Sequence, residues 1–332
     1  MSWHGRRVYV TGATGIVGAW LVKRLIAEGA YVVALVRDAD PASELIRSGD
    51  IQRVSVVNGC LEDYSTQVRA INEHEIDTVF HLAAQAIVTT ALRSPLATFE
   101  ANIRGTWNVL ESCRVCPELV KRVVVASSDK AYGDVAALPY TEDMAVNGRH
   151  PYDVSKSCTD LLAMTYAHTY QLPVVVARCG NIYGGGDLNW SRIVPGTIRS
   201  LLAGERPVIR SDGRFVRDYI YVEDVVSAYL ALAVGATEPG IIGEAFNFSP
   251  ETQVPVIDIV RSLQRITGRS DLEPVILDQA RAEIRDQYLD SAKAHRLLGW
   301  RPQYSLERGL QETVGWYETF LSGRATPAPL KS

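Results

Sequence analysis

Tyr152 and Lys156 lie four positions apart in a stretch with helical patterning, so a single turn stacks them on one face. Of the six lysines in the chain, no other has a tyrosine four residues before it. A neighbouring ammonium stabilises a phenolate, so this pairing suits a tyrosine that takes up and returns a proton. Ser128 follows the apolar run 122–127 and is placed to hydrogen-bond a reacting hydroxyl. Directly after it stand Asp129 and Lys130, an acid and a base in tandem. Eliminating water across two carbons needs such a pair, one group for the carbon-bound proton and one for the departing hydroxyl. The plainer reading of both motifs is an exposed Tyr/Lys pair on a helix and a salt-linked Asp/Lys turn.

A second constellation lies near the start, in Thr11-Gly12-Ala13-Thr14-Gly15-Ile16-Val17-Gly18. Between a strand and a helix, Gly12, Gly15 and Gly18 allow a tight turn, close backbone approach to a pyrophosphate, and close helix-on-strand packing. The helix N-terminus then faces the negative charge. Gly12, Thr14, Gly15, Ile16 and Gly18 are the candidate contacts; the alternative is an ordinary strand-to-helix turn.

These groups need a scaffold, and the patterning supplies one. Residues 7–10, 31–36, 54–58, 78–82, 122–127 and 174–178 read as buried strands, with amphipathic stretches at 19–28, 64–74, 95–113 and 152–170 between them. That alternation predicts an α/β fold, a Rossmann-like doubly wound parallel sheet with helices on both faces. Regularity breaks beyond about residue 180, where Gly184-Gly185-Gly186-Asp187 opens a smaller C-terminal lobe. Residues 223–234 read as a helix and 244–248 as a late strand returning to the sheet. The expected division is 1–180 with 223–248 as the dinucleotide domain, and 181–222 with 249–325 as the substrate-binding lobe. The Pro-, Ala- and Ser-containing tail after Gly323 is expected to fray.

Composition narrows the partners. The 332 residues are 47% apolar, enough for a full core, and the net charge of −4 gives no general attraction to nucleic acid or acidic membranes. Five cysteines, an odd number scattered through apolar stretches, argue against a disulfide framework and for a reducing compartment. Cys113 and Cys116 have zinc-like spacing without a second Cys or His pair, so no metal is expected. Met-Ser-Trp-His-Gly-Arg-Arg leads straight into a strand without signal-peptide patterning, and no apolar run approaches the roughly 20 residues of a membrane span. The expected compartment is the cytoplasm.

The G-x-x-G-x-x-G spacing, with Tyr152, Lys156 and Ser128, resembles the extended, sugar-modifying branch of the short-chain dehydrogenase/reductases. The resemblance implies NAD(P), tightly bound and recycled, held also by Leu82, Ala83 and Ala84, with Lys156 on the nicotinamide ribose. Where that branch often ends its second strand in Asp, this chain has Val36 followed by Arg37, as in GDP-mannose 4,6-dehydratases. A guanidinium suits a 2′-phosphate, which favours NADP; Asp38 within reach of the ribose keeps NAD open. Cys60 stands where relatives have an adenine-binding Asp, leaving Asp63 as the nearby substitute.

Further matches resemble CDP-glucose 4,6-dehydratases: Asp129-Lys130, His81-Leu-Ala-Ala-Gln85, Arg178-Cys-Gly-Asn181-Ile-Tyr-Gly184-Gly-Gly-Asp187, Arg192-Ile-Val-Pro195, Leu289-Asp290-Ser-Ala-Lys293, Leu298-Gly299-Trp300-Arg-Pro302 and Trp316-Tyr317. One stretch departs from that type, Arg214-Phe-Val-Arg217-Asp218-Tyr-Ile-Tyr-Val222-Glu-Asp224, which follows the common extended form. By resemblance Ser128, Asp129, Lys130, Tyr152 and Lys156 are catalytic, while Gln85, Asn181, Arg192, Arg217 and Arg285 bind a nucleotide-diphosphate sugar.

The implied reaction is a 4,6-dehydration giving a 4-keto-6-deoxyhexose. In it Lys130 acts as base, which requires its uncharged form, or merely orients Asp129. A UDP-hexose or UDP-hexuronate 4-epimerase would use Tyr152, Lys156 and Ser128 alike but leave Asp129 and Lys130 idle. An NADPH-dependent ketosugar reductase would consume cofactor, and a non-enzymatic redox-sensing relative would have lost Tyr152 or Lys156. Helices at 95–113 and 152–170 commonly pair with their copies in this family, implying a homodimer.

Overall fold

The computed structural model describes residues 2–135, 137–279 and 284–323. The expectation for the tail after Gly323 falls outside them. In chain order the strands are β1 (Arg7–Thr11), β2 (Tyr31–Val36), β3 (Ser55–Asn58), β4 (Thr78–His81), β5 (Arg122–Ala126), β6 (Val174–Cys179), β7 (Asn181–Tyr183), β8 (Val208–Ile209), β9 (Val216–Tyr221), β10 (Ala245–Phe248), β11 (Gln253–Pro255), β12 (Val275–Ile276) and β13 (Asp286–Gln287). The helices are α1 (Ile16–Ala27), α2 (Glu44–Arg47), α3 (Tyr64–Glu73), α4 (Val88–Arg93), α5 (Pro95–Phe99), α6 (Gly105–Arg114), α7 (Pro151–Tyr170), α8 (Ile193–Leu202), α9 (Val222–Gly235), α10 (Val256–Ile266), α11 (Ala292–Leu298) and α12 (Leu306–Leu321).

Seven strands form one parallel sheet in the order β10-β6-β5-β4-β1-β2-β3. Alternation along its strands sorts the core into two layers. Val8, Val10, Val32, Ala34 and Phe80 face α1 and α9, whose Leu21, Leu25, Val225 and Leu232 complete that side. Tyr9, Val33, Leu35, Val79 and Val123 face the other way, onto Ile71 of α3, Leu110 of α6 and Ala163 of α7. With both faces covered, central strands become unbroken apolar runs, which is why they were legible as such. The order reverses between β1 and β4, the switch point where open α/β sheets bind ligands beyond their strand ends.

A smaller sheet, β11-β9-β13 with β7 alongside β9, packs with α8, α10 and α12 around Ile198, Tyr219, Leu263 and Tyr317. It carries β13 into parallel register with β9, so that Gln287 pairs with Arg217.

The stretch read as one helix at 95–113 is α5 and α6 joined through a π-helical segment, Glu100–Arg104. The wider turn sets Asn102 inward and fully buried. Its carboxamide accepts from the Gln85 N–H (2.7 Å), and donates to the Gln85 carbonyl (3.1 Å) and the Ser155 hydroxyl of α7 (2.9 Å). A π-segment is a frequent device beside functional sites. Here it ties the chain after β4 to the helix that carries Tyr152 and Lys156.

Candidate active site

A cleft of about 760 Å³ is lined by the turns after β1, β4 and β5, the first turn of α7, and the segment between β6 and β9. Gly12 adopts φ +75°, a conformation L side chains rarely take, and a Cβ there would come 2.7 Å from the backbone nitrogen of Ala83. The backbone is thus bare where the first turn meets the chain after β4. Gly12, Thr14, Gly15, Ile16, Gly18, Leu82, Ala83, Ala84 and Arg37 all line this half of the cleft. His81 braces the junction from beneath, its ring nitrogens 2.9 Å from the Thr11 hydroxyl and 3.1 Å from that of Thr106. Burial, assisted by Lys156, pushes the imidazole down to about 3, so it is a neutral strut.

Asp63 takes no part in the cleft, contrary to expectation. Its carboxylate accepts from the backbone N–H and hydroxyl groups of both Ser65 and Thr66, capping the start of α3. Those bonds, the Thr66 hydroxyl foremost, hold it near 2. Cys60, Leu61 and Glu62 line the wall instead. At the end of β2, Arg37 is exposed and pairs with Asp38 at 2.7 Å, and both border the cleft.

In the middle of the cleft Ser128, Asp129, Lys130, Tyr152 and Lys156 come together. The Ser128 hydroxyl donates to Asp129 Oδ1 at 2.8 Å; Asp129 is 3% exposed, and its buried Oδ2 has no hydrogen-bond partner among the described residues. The Lys130 ammonium donates to Gln287 Oε1 at 2.8 Å, so the salt-linked Asp/Lys turn of the plainer sequence reading does not form. Lys156 is buried and donates to the Ala126 carbonyl at 2.8 Å; burial draws it down to about 8, against the pull of Asp160. Burial pushes the Tyr152 phenol up to about 12, and the charge that chiefly opposes this is Arg192, with the Ser128 hydroxyl acting in the same direction. The sequence had assigned that role to Lys156.

Gln85, Asn181, Arg192 and Arg217 also border the cleft. Gln85 turns its carboxamide back onto the Ile87 backbone, and Arg192 reaches Asp187 at 3.2 Å. The Arg217 guanidinium donates to the carbonyls of Val216, Ile284 and Arg285. Arg285 itself is exposed and lies outside the cleft, contrary to expectation: its carbonyl is held inward by Arg217 and its side chain turns to solvent. Two arginines the sequence did not single out, Arg199 and Arg210, join Arg192 and Arg217 in the lining, a concentration of guanidinium groups suited to a diphosphate. In an arginine-rich chain no local signal separates them from surface residues. Gln287 and Asp218, buried beside Lys130 and Asp129, were equally silent.

The chain matches known proteins along nearly its whole length. A family model described as GDP-mannose 4,6 dehydratase covers residues 9–313. The CDP-glucose 4,6-dehydratase of Salmonella typhimurium is 30% identical, over 97% of this chain and 93% of that one. Among solved structures, a dTDP-glucose 4,6-dehydratase from Streptomyces venezuelae with NAD and TYD bound superposes with a TM-score of 0.86 at 27% identity, covering 98% of this chain and 100% of the other. A UDP-glucose 4-epimerase from Thermotoga maritima, solved with UDP-glucose, gives 0.86 at 31% identity, covering 95% and 99%. Among the described residues no helix is long and apolar enough to cross a membrane. On the extent of the family match, with a cleft at the switch point of the sheet, the chain belongs to the GDP-mannose 4,6-dehydratase family, among the nucleotide-sugar dehydratases and epimerases.

Proposed function

We propose that this protein is a nucleotide-sugar 4,6-dehydratase, with CDP-glucose the favoured substrate, rather than a 4-epimerase. The observation that carries the choice is Asp129, buried at the centre of the cleft with one carboxylate oxygen unpartnered. A buried oxygen without a partner is costly, and a hydrogen bond to the departing hydroxyl of the substrate accounts for it. Epimerisation at C4 has no use for it.

The bare backbone of Gly12, Gly15 and Gly18 supports NAD(P) binding, with the pyrophosphate over the turn and Lys156 at the nicotinamide ribose. The exposed guanidinium of Arg37 at the end of β2 favours NADP over NAD. Bound there, the nicotinamide supplies a reversible hydride acceptor, so the overall reaction is redox-neutral. Tyr152 takes the C4-hydroxyl proton, with Ser128 orienting that hydroxyl and Arg192 favouring the phenolate. The resulting 4-ketone acidifies C5. Lys130 takes the C5 proton while Asp129 protonates the departing C6 hydroxyl, which leaves as water; return of the hydride to C6 and of a proton to C5 then closes the double bond and gives the 4-keto-6-deoxyhexose. Asn181, Arg192 and Arg217 hold the diphosphate, and Gln85 borders the sugar.

The test is direct. The purified protein is incubated separately with CDP-glucose, GDP-mannose, UDP-glucose, UDP-N-acetylglucosamine and dTDP-glucose, with no added cofactor, and products are weighed by mass spectrometry. Loss of one water supports the dehydratase and names the base; unchanged mass with a new stereoisomer makes the protein an epimerase.

The protein is expected in the cytoplasm as a homodimer. Leu96, Trp107 and Leu161, exposed on α5, α6 and α7 at 72%, 43% and 58%, support burial of that face against a second copy. Light scattering on the eluting peak of a sizing column measures it.

A further inference from the structure

Lys130 and Asp129 are adjacent in the chain and both line the cleft, yet no carboxylate oxygen of the described residues lies within 4.0 Å of the Lys130 ammonium. What holds it is the neutral amide of Gln287, 2.8 Å away and 157 positions further along the chain. Gln287 is fully buried on β13, in register with Arg217 on β9. The Arg217 guanidinium binds the carbonyls of Ile284 and Arg285, which fixes the approach to β13 and thereby the place of the amide. The carboxamide turns Oε1 toward the Lys130 nitrogen, and its NH2 faces the Tyr140 hydroxyl.

We propose that Gln287 is a positioning residue of the elimination step: its neutral amide keeps the Lys130 side chain apart from Asp129, so that the two meet the substrate as separate base and acid. The proposal rests on the dehydratase reading. In that step the C5–H proton passes to the Lys130 amine, a C5–C6 double bond forms, the C6–O bond breaks, and hydroxide takes the Asp129 proton to leave as water. An Asp129–Lys130 ion pair would remove both functions at once, since it favours carboxylate and ammonium together. The other charged groups around Lys130 are Asp153 of α7, with His150 beside it; Arg217 and Tyr140 flank Gln287. A carboxylate at position 287 would tie Lys130 in its charged form, whereas a hydrocarbon would release it toward Asp129 and Asp153.

The experiment compares full-length wild type with Gln287→Leu and the isosteric Gln287→Glu, on the nucleotide sugar that wild type dehydrates. Water loss gives kcat and KM, deuterium uptake at C5 from heavy water reads the proton-abstraction step, and thermal unfolding reads the fold. For Q287L the expected result is a fall in kcat and in C5 exchange of about tenfold or more, with KM within about twofold. For Q287E the rate is low near neutral pH and recovers as pH rises, its profile displaced upward by about one unit or more. Variants with wild-type kcat and pH profile overturn the proposal. So does an equal loss in both variants, at every pH, that tracks lowered unfolding temperature, because that marks a merely structural contact. If wild type itself epimerises without losing water, the dehydratase reading falls and takes this one with it. Water loss by wild type with unaffected variants removes this inference alone.

Discussion

Gly18 on the first turn of α1 lies against the carbonyl oxygen of Gly12, so closely that a methyl group at Gly18 would overlap that atom. The same carbonyl accepts the Gly15 N–H at 3.0 Å, which closes the turn. Helix and turn therefore have no room to separate the two backbones without opening the anion-facing N-terminus. Gly18→Ala is expected to cost about 1–3 kcal/mol through overpacking. It should also release bound dinucleotide, seen as loss of the cofactor that co-purifies and as a lower unfolding midpoint. A variant that keeps both would show that the turn has slack the structure does not reveal.

Tyr152 and Asp129 serve different halves of the proposed reaction, and their loss should be distinguishable. Tyr152→Phe removes the group that handles the C4-hydroxyl proton and should lower all turnover by about 10²–10⁴-fold. Asp129→Asn is expected to lower water loss by a similar factor while sparing C5 exchange in heavy water, since abstraction at C5 belongs to Lys130. Because it also removes a buried, half-partnered carboxylate, D129N should unfold at a temperature equal to or above wild type. Equal loss of water elimination and C5 exchange would mean that Asp129 acts at C5 instead.

Behind Ser128 and Lys156, Arg178 of β6 holds Asp160 of α7 through two nitrogens, at 2.7 and 3.0 Å, with both side chains almost wholly buried. Asp160 in turn accepts from the Ser127 hydroxyl, one residue before Ser128. Arg178 also donates to Tyr132, and Tyr132 donates to Asn247 of β10, so one network spans the turn after β5, β6, β10 and α7. Arg178→Met strips Asp160 of its two-nitrogen partner and leaves Lys156 as the nearest cation, at a cost of about 3–5 kcal/mol. Chemical denaturation measures it; the double variant with Asp160→Leu should recover most of that loss, because the stranded charge is gone.

What the sequence reveals and what it hides divide along one physical line. The glycine turn, the Tyr152/Lys156 stack and the central strands are local patterns: spacing within a turn, or apolar runs buried on both sides of a sheet. Their reading needs no knowledge of where the chain goes next. Asp63 shows the limit of such reading, because an aspartate just before a helix is as good a cap as it is a ligand, and only the fold shows the cap winning. Gln287 reaches Lys130 from the smaller sheet, and Arg199, Arg210 and Arg217 converge from α8, the turn after β8, and β9. Contacts of that kind are set by tertiary packing and leave no periodic trace.

Asp218 on β9 supplies the last prediction. It is fully buried behind Gly180, with one oxygen accepting from the Leu289 N–H at 3.1 Å and the other against Gly180. Burial first, and the charge of Asp129 second, raise it from 3.8 to about 7. The folded protein therefore keeps a proton between pH 4 and 7 that the unfolded chain gives up, and stability is lost as pH rises through that window. His81 works in the opposite sense, since its depression from 6.5 to about 3 costs stability as pH falls from 6.5. Wild-type stability alone mixes the two, so the comparison must be with Asp218→Asn, which retains an acceptor for Leu289 and cannot ionise. Urea denaturation at pH 5 and pH 8 should show the advantage of D218N over wild type widening at the higher pH. Adding Asp129→Asn to both chains should shrink that advantage, because one of the two causes of the shift has been removed. An advantage that is flat with pH would mean that Asp218 already ionises in the fold, with a counter-charge other than those described here.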